Sequence, residues 1–203
     1  MFRHVRCLWK PPEKKMRLIA CLYAAALLGA TPALALSPEG RAAVEAARVG
    51  EMERLVVHAE PKARLETPFV DGEGREVRVA DWEGKVVLLN FWATWCPPCL
   101  KEMPSLDRLA AQRSSDDFAV LAVSTDRGDA GKPLRWFAEN GIEALTMHHD
   151  PRTALAREAG ILGQPTTIIL DRSGREIARY QGEAEWDSPE AWAAIQAVID
   201  ADE

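Results

Sequence analysis

Residues 86 to 91 read Val86-Val87-Leu88-Leu89-Asn90-Phe91, and Trp92-Ala93-Thr94-Trp95-Cys96-Pro97-Pro98-Cys99-Leu100 follow directly. The run lacks the apolar/polar alternation of a strand with one wet face, so it reads as a central strand buried on both sides. From about Pro98 to Gln112, Leu100, Met103, Leu106, Leu109 and Ala110 recur at helical spacing, with Pro104 as an expected kink. A doubly covered strand that runs into an amphipathic helix demands an α/β architecture. Two cysteines two residues apart at that junction form the pattern of a reversible dithiol/disulfide couple.

The rest of the chain supports a mixed sheet flanked by helices. Phe118 to Val123 is a second buried strand, Leu134 to Asn140 a helix closed by Gly141, and Leu145 to His149 a short strand. Thr153 to Ala159 is helical. Thr166 to Leu170 and Glu176 to Tyr180 flank the turn Asp171-Arg172-Ser173-Gly174 as a hairpin. Ser188-Pro189-Glu190 caps a last helix to about Asp200, with Trp192, Ile195, Val198 and Ile199 inward. Upstream, Glu76 to Val79 alternates as a short strand behind Asp71-Gly72-Glu73-Gly74. Residues 36 to 64 read as a helical extension and linker, helical to about Ala59 with Gly50 as a break.

The first 35 residues belong to a different class. Arg3, Arg6, Lys10, Lys14, Lys15 and Arg17 precede an uncharged stretch from Leu18 that ends in Ala33-Leu34-Ala35, the layout of a secretory signal peptide cut after Ala35. A retained membrane anchor is the alternative, weakened by Gly29, Thr31 and Pro32 near the end of the apolar stretch. Lipidation at Cys21 is disfavoured because that cysteine opens the apolar stretch instead of closing it, and a start at Met16 would give a more compact leader. Of the chain's 25 Lys/Arg and 31 Asp/Glu, six and one lie in this segment, leaving 19 and 30 and a formal charge of −11. So acidic a chain argues against nucleic acid and anionic membranes as partners. Cys7 and Cys21 leave with the leader, and Cys96 and Cys99 become the only thiol pair. Their closed loop is too small to staple a fold, so in an oxidising compartment their use is chemical.

Position in the helix assigns the two roles. Cys96, at the mouth of the helix, faces unpaired N–H groups and the positive end of the dipole, which favour a nucleophilic thiolate. Cys99, one turn in, is the resolving thiol. Pro97 and Pro98 have no N–H, so the main donor left near the Cys96 sulfur is that of Cys99. A less stabilised thiolate favours the disulfide, which makes the couple reducing, nearer about −270 mV than about −120 mV. Trp95 is expected as an exposed apolar contact for substrate, while Phe91, Trp92, Trp82, Trp136, Trp186 and Trp192 read as packing. His148-His149 has no third or fourth ligand in view and is not read as a metal site.

The strand, Trp95-Cys96-Pro97-Pro98-Cys99, the helix, Gln164-Pro165-Thr166-Thr167, the hairpin and the last helix resemble the thioredoxin fold. The stretch 84 to 99, with Glu102 and Pro104, resembles its TlpA/ResA-like branch of thiol-disulfide oxidoreductases that serve outside the cytoplasm. The resemblance covers roughly residues 65 to 202 and implies a thioredoxin-like domain over 65 to 203, an α/β fold of mixed central sheet flanked by helices with an N-terminal β extension. It implies a cis proline at Pro165, whose neighbour Gln164 presents its backbone to a client, with Pro97 and Pro98 also in the client surface. Many thioredoxins carry a buried Asp where this chain has Asn90, which cannot titrate. Glu102, one turn beyond Cys99, then takes the proton from the resolving thiol, as the Glu at the matching place in those relatives implies. No cofactor beyond the Cys96–Cys99 disulfide is expected. The implied partners are disulfide-bearing clients, apocytochrome c in cytochrome c maturation among them, and a membrane thiol electron donor. A copper metallochaperone of the same fold is disfavoured by the C-x-x-C spacing, and a peroxidase by Ala93 at the place of the usual Thr or Ser.

Overall fold

A computed structural model describes residues 36–201. The leader expected over residues 1 to 35, with Cys7 and Cys21, lies outside the described residues. In chain order the elements are α1 (Pro38–Ala47), a 3-10 turn (Gly50–Arg54), β1 (Val56–Val57), β2 (Phe69–Asp71), β3 (Glu76–Val77), a second 3-10 turn (Val79–Trp82), β4 (Val86–Trp92), α2 (Pro97–Arg113) and β5 (Phe118–Ser124). Then come α3 (Gly131–Glu139), β6 (Thr146–His149), α4 (Ala154–Glu158), β7 (Thr166–Leu170), β8 (Glu176–Gln181) and α5 (Pro189–Ala201).

All eight strands join one sheet in the order β1-β8-β7-β4-β5-β6-β2-β3. β4 runs parallel to β5 and antiparallel to β7, so the unbroken apolar strand is hydrogen-bonded on both edges and every one of its residues is buried. Its side chains divide by parity, as the strand period requires. Val86, Leu88 and Trp92 enter the core beneath α1, α2 and α5, with Met103, Leu106, Ile195 and Val198. Val87, Leu89 and Phe91 enter a second core with Leu155 and Ala156 of α4 and with Ala159 just beyond it. Asn90 has the parity of Leu88 and Trp92 and so points toward α2. α2 continues through Pro104.

The N-terminal extension differs from the helical reading. Ser37 caps α1 by accepting the Gly40 N–H at 2.9 Å, but the helix ends at Ala47, and Gly50 takes a left-handed φ of 58°. Val56 and Val57 then pair with Arg179 and Ala178, and His58 N–H donates to Ile177 O at 2.9 Å. The open edge of β8 offers backbone groups that only an extended segment satisfies, and this overrides the helical composition of residues 55 to 59. At the other edge, β2 pairs with β6 through Val70 opposite His149 and Asp71 opposite His148. Three residues are too few to show alternation, which is why β2 leaves no pattern in the sequence. β3 is shorter than the expected strand because Asp81 Oδ2 accepts the Arg78 N–H at 2.8 Å and turns Val79 into a 3-10 turn.

Candidate active site

The cysteine loop is held from below before it reaches the helix. Asp126, at the end of β5 and buried, accepts from the Thr94 N–H at 2.9 Å and from Thr94 Oγ1 at 2.6 Å. Cys96 N–H donates to Ala93 O at 3.1 Å, and Cys96 becomes the N-cap of α2 with Pro97 and Pro98 as the first two helical residues. Neither proline wastes a donor there, since the first N–H groups of a helix have no intrahelical partner. Cys96 and Cys99 form a disulfide with a Cα–Cα distance of 5.3 Å. Cys99 N–H points at Cys96 Sγ, 3.3 Å away, the one donor that the two prolines leave. Cys99 is fully buried and Cys96 is 4% exposed, whereas Trp95 beside them is 64% exposed. Pro97 is exposed and Pro98 half-buried.

The Gln164–Pro165 peptide bond is cis. Thr166 pairs with Phe91, which puts Pro165 level with Trp92 and beside the cysteine loop. Gln164 Nε2 reaches Trp92 O at 3.5 Å and bonds Thr125 Oγ1, tying the proline turn to the ends of β4 and β5.

Beneath the cysteines lies a buried carboxylate. Glu102, on the same side of α2 as Cys99, is 2% exposed. Its Oε1 accepts from Asn90 Nδ2 at 2.7 Å, and its Oε2 from Trp186 Nε1 at 3.0 Å and Ala184 N–H at 3.2 Å. Three donors favour the anion, yet burial outweighs them and, aided by the nearby Glu183 charge, pushes the Glu102 carboxyl up to about 7. That value suits a group that takes and returns a proton at neutral pH. A pocket of about 120 Å³, lined by Glu51, Lys101, Glu183, Ala184 and Glu185, leads from Glu102 toward the surface. Ser105 Oγ accepts the Trp186 N–H at 3.0 Å and holds the same loop against α2.

Sequence reasoning missed Trp186, Ala184 and Thr167 as parts of this site. Trp186 reads as core and is buried, but its indole N–H is spent on Glu102. Asn90 Nδ2 also donates to Thr167 Oγ1 at 2.9 Å. The Gln164-Pro165-Thr166-Thr167 stretch carries the only local signal for that contact.

The adjacent histidines serve the fold. Neighbours on one strand face opposite ways, so His148 and His149 cannot chelate together. His148 packs edge-on to Phe69 and Trp82, and burial lowers its pKa to about 4. His149 Nε2 lies 2.7 Å from Asp126 O, behind the cysteine loop. Among the described residues, no group of three or more His, Cys, Asp or Glu could hold a metal ion.

A surface groove of about 670 Å³ adjoins the cysteine loop at Trp95, and Gln164, Thr125 and Asp126 are among its lining residues. The Redoxin family model matches residues 58–195. The chain is 30% identical over 113 residues to the thiol-disulfide oxidoreductase ResA of Bacillus thuringiensis subsp. konkukian, a match that covers 56% of this chain and 64% of that protein. It thus spans less than two thirds of that relative's length. A candidate thiol:disulfide interchange protein DsbE from Chlorobium tepidum superposes with a TM-score of 0.61 at 27% identity, over 70% of this chain and 99% of that one. The exposed lipoprotein thioredoxin Etrx1 of Streptococcus pneumoniae does so with 0.54 at 28% identity, over 66% and 97%. The chain therefore belongs to the Redoxin family, with the thioredoxin fold and the likeness of its TlpA/ResA-like thiol-disulfide oxidoreductases.

Proposed function

We propose that this protein is an extracytoplasmic thiol-disulfide oxidoreductase that reduces disulfides in client proteins, with cytochrome c maturation as its setting. The observation that carries the reading is the Cys96–Cys99 disulfide at the start of α2, flanked by the cis Gln164–Pro165 bond and underlain by Glu102. The leader-like residues 1 to 35 support export.

In the working direction the reduced protein presents the Cys96 thiolate to a client disulfide. Cys96 Sγ bonds to one client sulfur, and the other leaves as a thiolate that takes a proton from solvent. Cys99 then loses its proton to Glu102 and attacks Cys96 Sγ. The Cys96–Cys99 bond forms, the client's second sulfur leaves, and Glu102 returns the proton. The client gains two electrons and two protons. A thiol donor at the membrane restores the dithiol, so the reaction needs no cofactor beyond the cysteine pair.

Trp95, Pro97, Pro98, Gln164 and Pro165 form the client surface, where an extended chain lies against the proline turn. A Cys99→Ala variant cannot resolve its mixed disulfide and should accumulate covalent client adducts through Cys96. Apocytochromes among the adducts support the maturation role, and a broad set of unrelated proteins replaces it with general reduction. Absence of adducts from the variant in cells that express it at the native level overturns the reductase reading.

A further inference from the structure

The groove beside the cysteines has the opposite charge to the chain that builds it. Residues 36 to 203 carry a formal charge of −11, yet the groove is lined by three cations, Arg127, Lys132 and Arg157, and one anion, Asp126. That anion is already committed. Its carboxylate accepts from the Thr94 N–H, Thr94 Oγ1 and Ser124 Oγ, and Lys132 Nζ stands 3.5 Å away. These contacts hold Asp126 below the usual carboxylate range despite its burial. The cations are less bound. Arg127 is exposed, and among the described residues it has no hydrogen-bond or ionic partner. Arg157 spends one nitrogen, Nη1, on Arg152 O and Thr153 Oγ1, and among the described residues its other guanidinium donors have no hydrogen-bond partner.

The rim of the groove is apolar. Trp95 is 64% exposed and Leu162 is 93% exposed, large side chains left in water at the edges nearest Cys96 and Gln164. Apolar side chains beside cationic ones fit an extended polypeptide better than a small anion, because the polypeptide brings side chains for Trp95 and Leu162 as well as carboxylates for the arginines.

Resting on the reductase reading, we infer that the groove selects clients whose chain carries Asp or Glu next to the disulfide cysteine that Cys96 attacks. Between an acidic protein and an acidic client, long-range repulsion slows encounter in general. A local cationic groove at the reacting sulfur confines productive encounter to one orientation and one class of flanking sequence.

The test uses the reduced full chain and three disulfide peptides of one framework, their flanking positions filled with Asp and Glu, with Ser and Gln, or with Lys and Arg. The rate at which each oxidises the protein is followed by tryptophan fluorescence, with glutathione disulfide as a fourth oxidant. The acidic peptide is expected to react about tenfold faster than the basic one at low salt, with the ratio falling toward one near 0.5 M salt. In an Arg127→Glu, Arg157→Glu variant the order of acidic and basic peptides should reverse. The readout is a ratio within each variant, so a general loss of activity does not imitate it. Equal rates for the three peptides, a faster basic peptide, or glutathione disulfide outpacing the acidic peptide overturns the inference. Failure of every peptide to oxidise the protein overturns the reductase reading instead.

Discussion

Asn90 Nδ2 donates to Glu102 Oε1 at 2.7 Å across the seam between β4 and α2, with both side chains buried. The strand partner cannot titrate, so the helix partner alone can carry a proton beneath the cysteines. Burial keeps that proton close to neutral pH, since the Glu102 carboxyl stands at about 7.

Glu102 should make stability depend on pH in a distinctive direction. Its folded pKa of about 7 lies above the ordinary 4.5, so between the two the folded state binds more protons than the unfolded state. Its contribution is fully present below the lower value and is lost as pH rises to about 7, a change on the order of 3 kcal/mol at most. His148, lowered from 6.5 to about 4, acts in the opposite sense over much of the same range. The informative quantity is therefore the difference between wild type and Glu102→Gln in urea unfolding of the oxidised protein. The variant should gain relative stability as pH rises from about 5 to 7, with no further gain above. A difference that stays constant with pH means that Glu102 does not titrate there. The same substitution should slow resolution of the mixed disulfide and flatten its pH profile between about 6 and 8.

Legibility followed the range of the contacts. β4 and α2 were readable because burial on both faces, or on one helical face, stamps a period into consecutive residues, and the placement of Cys96, Cys99 and Glu102 came with them. The partner that Trp186 gives to Glu102 was not readable. It lies 84 positions along the chain and reaches the carboxylate only after the loop beyond β8 folds back on α2. Residues 55 to 59 have a helical composition, and their strand is hidden for the same reason: the edge of β8 that extends them is more than a hundred residues away. Asp126 escaped notice because its task, pinning Thr94, leaves no spacing pattern.

Pro97 should set the redox poise. With prolines at both intervening positions, the Cys99 N–H at 3.3 Å is the backbone donor left to the Cys96 sulfur. Pro97→His restores one N–H and adds an imidazole near the thiolate, so it should lower the Cys96 pKa and make the couple more oxidising. The expected rise in potential is roughly 30 mV or more, about tenfold in the exchange constant, read by equilibration with glutathione. An unchanged or lower potential contradicts the donor argument.

Gly40 should be a test of how the N-terminal extension docks. A Cβ built there falls 2.7 Å from Ala201 Cβ, at the contact of α1 with α5. Gly40→Val should destabilise the protein by roughly 1–3 kcal/mol through overpacking. Ala201→Gly added to it should recover part of that loss, although each glycine in a helix costs about 1 kcal/mol. A double variant whose loss equals the sum of the two single losses would show that the two positions are uncoupled, as a denaturant series on all four proteins reads directly.

Trp95 should separate client binding from thiol chemistry. It stands 64% exposed beside Cys96 and at the edge of the groove, and it supplies no hydrogen bond to either cysteine or to Glu102. Removing an exposed side chain of this kind should change stability by about 0.5 kcal/mol or less. Against a polypeptide disulfide, however, Trp95→Ala should lose the apolar contact proposed for the client, and the rate should fall by roughly five- to tenfold. Against a small disulfide that cannot span the groove the fall should be no more than about twofold. Comparing the two oxidants in the same variant makes the distinction: equal losses would place Trp95 in the electrostatics of the thiolate, and a loss confined to the polypeptide places it in recognition.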